Sequence, residues 1–172
     1  MNGVIKDATD ADAALLSEFG ARTFYESFGA DNTPEDMQNH LDSAFSAQKQ
    51  LAEIRNPDIE TLIHTSPDGR WAGFAQLRAG QRSSGVPEQG SIELWRFYVD
   101  KAWHGHGVAA ALMDAAKQRA RRRGATTLWL GVWERNARAQ TFYRKHGFAR
   151  VGSQVFVVGS DPQTDDVLLC AL

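Results

Sequence analysis

Cysteine is almost missing from this chain. Cys170 is the single one among 172 residues, so no internal disulfide can form and a reducing compartment, the cytoplasm, is the expected location. Long apolar runs are missing too. Nothing approaches the roughly 18 uninterrupted apolar residues of a membrane span. The opening MNGVIKDATDADAALL lacks the basic, apolar and small-residue regions of a secretion signal, so neither membrane nor export is expected. No charge sign dominates: 19 Lys and Arg stand against 21 Asp and Glu, which argues against a general nucleic-acid binder. Repeats, low-complexity tracts and linkers are absent as well. The expectation is one domain over residues 1–172, long enough to bury roughly 70% of its unfolded surface.

What is present reads as an ordinary globular protein, with 42% hydrophobic and 23% charged residues and nine Phe and five Trp to fill a core. The charge is unevenly spread. Residues 1–60 hold twelve Asp and Glu against four Lys and Arg, and residues 101–150 hold eleven Lys and Arg against two Asp and Glu. Two readings stay open: solvated helix faces of opposite sign, or an anionic cofactor meeting the basic half and a cationic partner the acidic half. The run Arg119, Arg121, Arg122, Arg123 before Gly124 fits a helix C-terminus better than a nucleic-acid patch.

Taken in order, Val4-Ile5 opens a strand and Thr9-Asp10 signals a helix start. Leu15, Leu16, Phe19, Phe24 and Phe28 follow near a 3.6 period. Thr33-Pro34-Glu35-Asp36 starts a second helix, expected to run through Met37, Leu41, Phe45, Leu51 and Ile54 to Asn56-Pro57. Residues 59–64 and 71–77 read as a hairpin around Ser66-Pro67-Asp68-Gly69, and 80–90 as a loop. A strand at 91–99 leads through His104-Gly105-His106-Gly107 into a helix. A strand over 126–132, a helix over 137–146 capped by Asn136 and closed by Gly147, and strands over 148–158 and 167–172 complete the order. The fold class is α/β, with a mixed, mostly antiparallel sheet of about seven strands flanked by about four helices.

The glycine loop is the first chemical signal. A glycine turn that opens a helix after a strand aims free backbone N–H groups at one point, with the positive end of the helix dipole behind them, which suits a pyrophosphate. Gly105-x-Gly107-x-x-Ala110 also matches a dinucleotide fingerprint. A nicotinamide enzyme is the reading this offers. Against it, Asp100 to His104 separate strand from glycine, and no acidic residue ends the next strand cleanly. His104 and His106 form an H-x-H pair, but no Cys, Asp or Glu stands nearby to complete a metal site, so none is expected. His40, His64 and His146 read as structural.

A second motif lies some thirty residues on. Asn136-x-x-Ala139-x-x-Phe142-Tyr143-x-x-x-Gly147-Phe148, taken with His104-x-x-Gly107-x-Ala109, resembles the GNAT N-acetyltransferase superfamily, whose loop reads [Q/R]-x-x-G-x-[G/A] and whose later motif reads N-x-x-A-x-x-F-Y-x-x-x-G-F. His104 departs from the usual Gln or Arg; because backbone N–H groups do most of the phosphate binding at this loop, the departure is expected to be tolerated, at most with some loss of cofactor affinity. Within that superfamily the chain looks like the bacterial polyamine (spermidine/spermine) acetyltransferases, through Trp129 to Glu134, Val155-Phe156 with Gln163-Thr164-Asp165, and Asn32 to Met37.

The resemblance implies acetyl-CoA as co-substrate, direct transfer to a primary amine of a small, cationic molecule, no metal, and a homodimer as one state that relatives adopt. A polyamine is the first acceptor, with amino sugars, amino acids or protein N-termini as others; a CoA-binding sensor without catalysis is the alternative in another class. Phe97, Tyr98 and Val99 would present backbone groups to the pantetheine as an added strand. The amides of His104, Gly105, His106, Gly107, Val108 and Ala109 would hold the pyrophosphate. Asn136 and Tyr143 would flank the sulfur, and Lys145 or Arg144 would reach phosphates. Glu93 is the candidate base. On a regular strand it shares a face with Trp95, Phe97 and Val99, whose apolar surroundings would raise its pKa. Tyr143 is the candidate acid for the leaving thiolate. Arg22, Tyr25 and Glu26 match acceptor-side positions by placement only, and helix packing is their expected role.

Overall fold

The computed structural model describes residues 3–172. Twelve principal elements follow in the order β1 (Val4–Asp7), α1 (Ala13–Phe28), α2 (Pro34–Phe45), α3 (Ala47–Arg55), β2 (Ile59–Thr65), β3 (Trp71–Arg78), β4 (Ser91–Val99), α4 (Val108–Arg122), β5 (Thr127–Trp133), α5 (Ala137–Lys145), β6 (Ala149–Val158) and β7 (Asp161–Ala171). The strands form one sheet in the order β1-β2-β3-β4-β5-β7-β6. Every pairing is antiparallel except β4 with β5. The expected α/β class and mixed sheet are what the chain adopts.

Two elements differ from expectation. The helix expected over 33–56 is two helices, because Ser46 takes an extended backbone and its hydroxyl caps α3 by accepting from the Lys49 amide. The apolar spacing carries the trace of this break: Phe45 to Leu51 is six residues, which no helical face repeats. The last strand begins six residues early. The turn at Gly159-Ser160 lets Asp161 to Asp166 pair with β6, with Pro162 at the strand start where its missing N–H costs little.

Alternation along the strands feeds two cores, one on each face. Leu77, Ile92, Leu94, Leu128 and Leu130 pack against α4 and α5 through Leu112, Met113, Ala116 and Tyr143. Phe74 faces the other way, onto Leu16, Phe19, Phe24, Met37 and Phe45 of α1 and α2. The acidic and basic halves of the chain partly neutralise each other in the fold. Arg119 pairs with Asp7 at 2.8 Å and Glu60 at 3.3 Å, Arg123 with Glu60 at 3.2 Å, and Arg55 with Asp10 at 2.7 Å. The arginines ending α4 thus tie it to β1 and β2.

Beneath the second core lies a buried polar network. Arg96 donates to Glu53 Oε2 at 2.5 Å, to Gln76 Oε1 at 2.8 Å and to the Ala44 carbonyl at 3.1 Å. Both members of the ion pair are buried. Removing one partner of such a pair strands the other's charge, at roughly 3–5 kcal/mol, whereas replacing both is nearly neutral. Arg96→Met is therefore expected to lower unfolding stability by about 3–5 kcal/mol in urea titration, and Arg96→Met/Glu53→Leu to recover most of it.

Candidate active site

Three features of β4 and its surroundings build a cleft. β4 carries one extra residue, since Gln76 of β3 pairs with Arg96 but Leu77 pairs with Leu94, which leaves Trp95 as a bulge. A bulge inverts the alternation beyond it. Leu94 packs in the core against α4, and so do Phe97 and Val99, while Arg96 and Tyr98 turn to the side of α1–α3. Glu93 therefore does not share a face with Phe97 and Val99. It lies with Trp95, whose ring sits between the guanidiniums of Arg78 and Arg96 at 4.0 Å each. The third feature follows: β4 and β5 pair only over Ser91–Glu93 with Thr127–Trp129, then part. The β5-facing backbone of Leu94 to Val99 is left without a strand partner.

The parting strands open two confluent cavities. One, of about 390 Å³, is bordered by Glu93, Arg78, Tyr98, Trp129, Phe156 and Asp165. The other, of about 470 Å³, runs toward α4 past Val99, His104, Ala109 and Arg138. Phe97, Tyr98, Trp133, Asn136 and Tyr143 border both. Tyr143 thus stands at their junction. Its ring is fixed among Phe97, Phe142 and Phe148 at 6.2, 5.5 and 5.7 Å between centroids. Asn136 caps α5 by accepting from the Ala139 amide at 3.1 Å, which sets the helix that carries Tyr143.

The loop before α4 has the form of an anion site. Gly107 is the helix N-cap with φ +81°, and Gly105 has the same φ, values that favour glycine. Among the described residues no backbone carbonyl accepts from the amides of Gly105, Gly107, Val108, Ala109 or Ala110, and the first helical bond is Ala111 to the Gly107 carbonyl at 3.0 Å. The amides of His104 and His106 are already spent on the Lys101 and Trp103 carbonyls, at 3.2 Å each. The His104 ring donates from Nε2 to the Val99 carbonyl at 3.0 Å, pinning the end of β4 to the loop. His106 stacks edge-on against Trp103. Among the described residues no three His, Cys, Asp or Glu gather in a metal-binding group.

Residues 21–148 match the acetyltransferase (GNAT) family. The chain belongs to that family. An uncharacterized N-acetyltransferase of Lactobacillus delbrueckii subsp. lactis is 33% identical over 173 residues, spanning all of this chain and 99% of its own length. Another, of Mycobacterium tuberculosis, is 34% identical over 161 residues, or 94% of this chain and 97% of its own. The PaiA N-acetyltransferase of Thermoplasma acidophilum, solved in complex with coenzyme A, superposes with a TM-score of 0.82 over the full length of both chains at 21% identity, a likeness of fold.

As a GNAT N-acetyltransferase the chain takes acetyl-CoA as its co-substrate. Its own geometry fits that molecule. Free amides and a helix N-terminus lie at one end of the cleft for a pyrophosphate, and an unpaired strand edge beside them can receive an amide-bearing arm.

The titratable groups in the cleft are perturbed chiefly by burial. Burial raises the Glu93 carboxyl, 5% exposed, even though Arg78 grips it through Nε at 2.8 Å and Nη2 at 2.7 Å and pulls the other way. Burial also pushes the Tyr143 phenol up, with Tyr98 adding to it, and lifts the Tyr98 phenol to about 12. Both hydroxyls keep their protons through any ordinary assay pH.

Of the other expected site residues, Lys145 and Arg144 border neither cavity; Arg144 bonds Thr141 within its own helix. Arg138, in the first turn of α5, and Arg135, just before that helix, border the second cavity. Arg22 pairs with Asp100 at 2.7 Å and Glu26 at 3.3 Å, Tyr25 is exposed, and Glu26 borders the second cavity. His40 stacks on Phe24 and His146 against Phe142, both at 4.4 Å, and His64 is buried. Sequence reasoning missed Asp165 as a side chain of the site. The available signal was period-two alternation, which sets Gln163, Asp165 and Val167 on one face of β7.

No helix among the described residues is long and apolar enough to cross a membrane.

Proposed function

We propose that this GNAT enzyme moves an acetyl group directly onto a primary amine of a small, cationic molecule, a polyamine first, in a reducing cytoplasm that suits its lone buried Cys170. The observation that carries the reading is the position of Tyr143, where a cavity leading to free helix-start amides meets one walled by aromatic rings and carboxylates. Aromatic faces and carboxylates together suit a positive amine.

Bound acetyl-CoA supplies an acyl group activated as a thioester. The amides of Gly107, Val108 and Ala109 hold the diphosphate, and the open edge of β4 at Phe97 and Tyr98 orients the arm. Glu93 takes the proton of the incoming amine, directly or through a water, so that nitrogen attacks as the neutral base. The Tyr143 hydroxyl returns a proton to the departing sulfur. Mixing protein, acetyl-CoA and spermidine with a thiol reagent tests the proposal. Thiol release is expected. Its absence across polyamines, amino sugars and N-terminal peptides would remove the acceptor reading.

A base with an upward-shifted pKa loses activity as pH falls through that value, since only the carboxylate accepts a proton. Arg78 works against that shift. Arg78→Met is therefore expected to move the acid limb of kcat/KM to higher pH. A limb set by Asp165 would not respond, because its perturbing charge is Asp166 and not Arg78.

A further inference from the structure

Three carboxylates are buried among the described residues, Glu53, Glu93 and Asp165. Two have an arginine: Glu53 bonds Arg96 and Glu93 bonds Arg78. The third has none. Asp165 is 8% exposed, and among the described residues no side chain or amide donates to it. The neighbouring Asp166 is paired with Arg150 at 2.6 Å, and the arginines bordering the cavity are engaged by Glu93 and Glu88. Burying a carboxylate without a partner is costly, and proteins ordinarily supply a cation or let the group go neutral.

The surroundings make this a receptor rather than a packing fault. Asp165 sits opposite Trp133 in the β5–β7 register and opposite Gln154 in the β6–β7 register, at the end of β5 where the cleft opens. Its Oδ2 lies over Gly131, where an added Cβ would come to 2.9 Å, and the same Cβ would meet Gln154 Nε2 at 2.5 Å. The bare glycine keeps room for both side chains. Trp129, Trp133 and Phe156 wall the cavity into which Asp165 faces, and π faces with a carboxylate are the surroundings a desolvated ammonium favours. Burial lifts the carboxyl to about 6, with Asp166 adding to it, so near neutral pH it carries its charge unpaired. Tyr98 faces it across the cavity and Gln154 stands beside it on β6, while Asp166, the next residue of β7, points to the other face and acts on it through charge alone.

We propose that Asp165 is the docking carboxylate for a second, non-reacting positive charge on the acceptor, so that the enzyme selects di- and polyamines over monoamines. The proposal rests on the acceptor reading given above. It assigns the two carboxylates of the cavity different tasks: Glu93 deprotonates the amine that attacks, and Asp165 holds the ammonium that does not.

The test compares wild type with Asp165→Asn, which keeps shape and removes charge. The kcat/KM ratio of spermidine to butylamine is expected to fall about 30-fold or more, mostly through the KM for spermidine. Without amine, Asp165→Asn is expected to melt higher at pH 7.5, because a structurally useless buried charge is gone. A residue with a merely structural role would melt lower. Spermidine is expected to raise the melting temperature of the wild type and not that of Asp165→Asn. An unchanged ratio with equal spermidine stabilisation overturns the docking role while leaving acetyl transfer standing. If no amine is turned over although CoA binds, the acceptor reading fails by itself. The spermidine melting shift then still decides Asp165: its loss in the variant supports the docking role, and equal or absent shifts in both proteins overturn it.

Discussion

Tyr143→Phe is expected to lower kcat by about 10²–10⁴, the range over which a positioned proton donor acts, and to leave both KM values within a few-fold. The reason is that the hydroxyl contributes nothing else visible. The ring is held by Phe97, Phe142 and Phe148, contacts that phenylalanine keeps, and no protein group among the described residues bonds the oxygen. Melting should therefore move little. An equal fall in kcat and kcat/KM is the signature of an interaction made only in the transition state.

Tyr98 is the internal control. It borders the same two cavities, but its ring packs on Phe74, Phe24 and Phe45 from the opposite side of the sheet. Tyr98→Phe should lower kcat less than about tenfold, below what a positioned proton donor supplies. If it proved the worse of the two, the proton donor would be Tyr98. Because burial raises both phenols, ionisation of either lies far on the alkaline side, and kcat should stay flat toward pH 9 in the wild type.

What could be read in the sequence was whatever is decided within a few residues. The left-handed backbone at Gly107 and Gly147 and the Asn136 cap are local turn chemistry, so the loop, α5 and the setting of Tyr143 were legible. The apolar run of β5 and the hairpin of β2 and β3 were legible for the same reason. Register was not. Whether Trp95 bulges depends on how β4 slides against Gln76 and Leu77 of β3, some twenty residues away. One extra residue there turned Glu93 away from Phe97 and Val99. Asp165 escaped for a related reason: its burial comes from Trp133 and Gln154 on two other strands, and a polar stretch such as Asp161 to Asp166 reads as a loop until both partners are known. Lys145 lies beyond Phe142 and Tyr143, the last residues of α5 to border the cleft, and where a helix face leaves a cavity depends on the sheet beneath it, not on the helix's own sequence.

Gly107→Val is expected to weaken CoA binding on the order of 100-fold while the folded protein survives with lowered stability. The space around Gly107 is open, with nothing within 4 Å of an added Cβ, so the effect is conformational and not a clash. At φ +81° a β-branched residue pays roughly 1–3 kcal/mol of backbone strain. The loop can relieve that strain only by rotating φ to negative values, and the rotation swings the Gly107 and Val108 amides off the point where their N–H groups converge. Each hydrogen bond to a charged oxygen lost in this way costs about 1.5–3 kcal/mol. Calorimetry with CoA measures the loss. Truncated ligands then locate it: affinity for a pantetheine lacking the diphosphate should change little, because β4 and not the loop receives it. Equal loss for both ligands would mean that the substitution had disturbed the cleft as a whole, and the amides at the start of α4 would no longer account for where the cofactor is held.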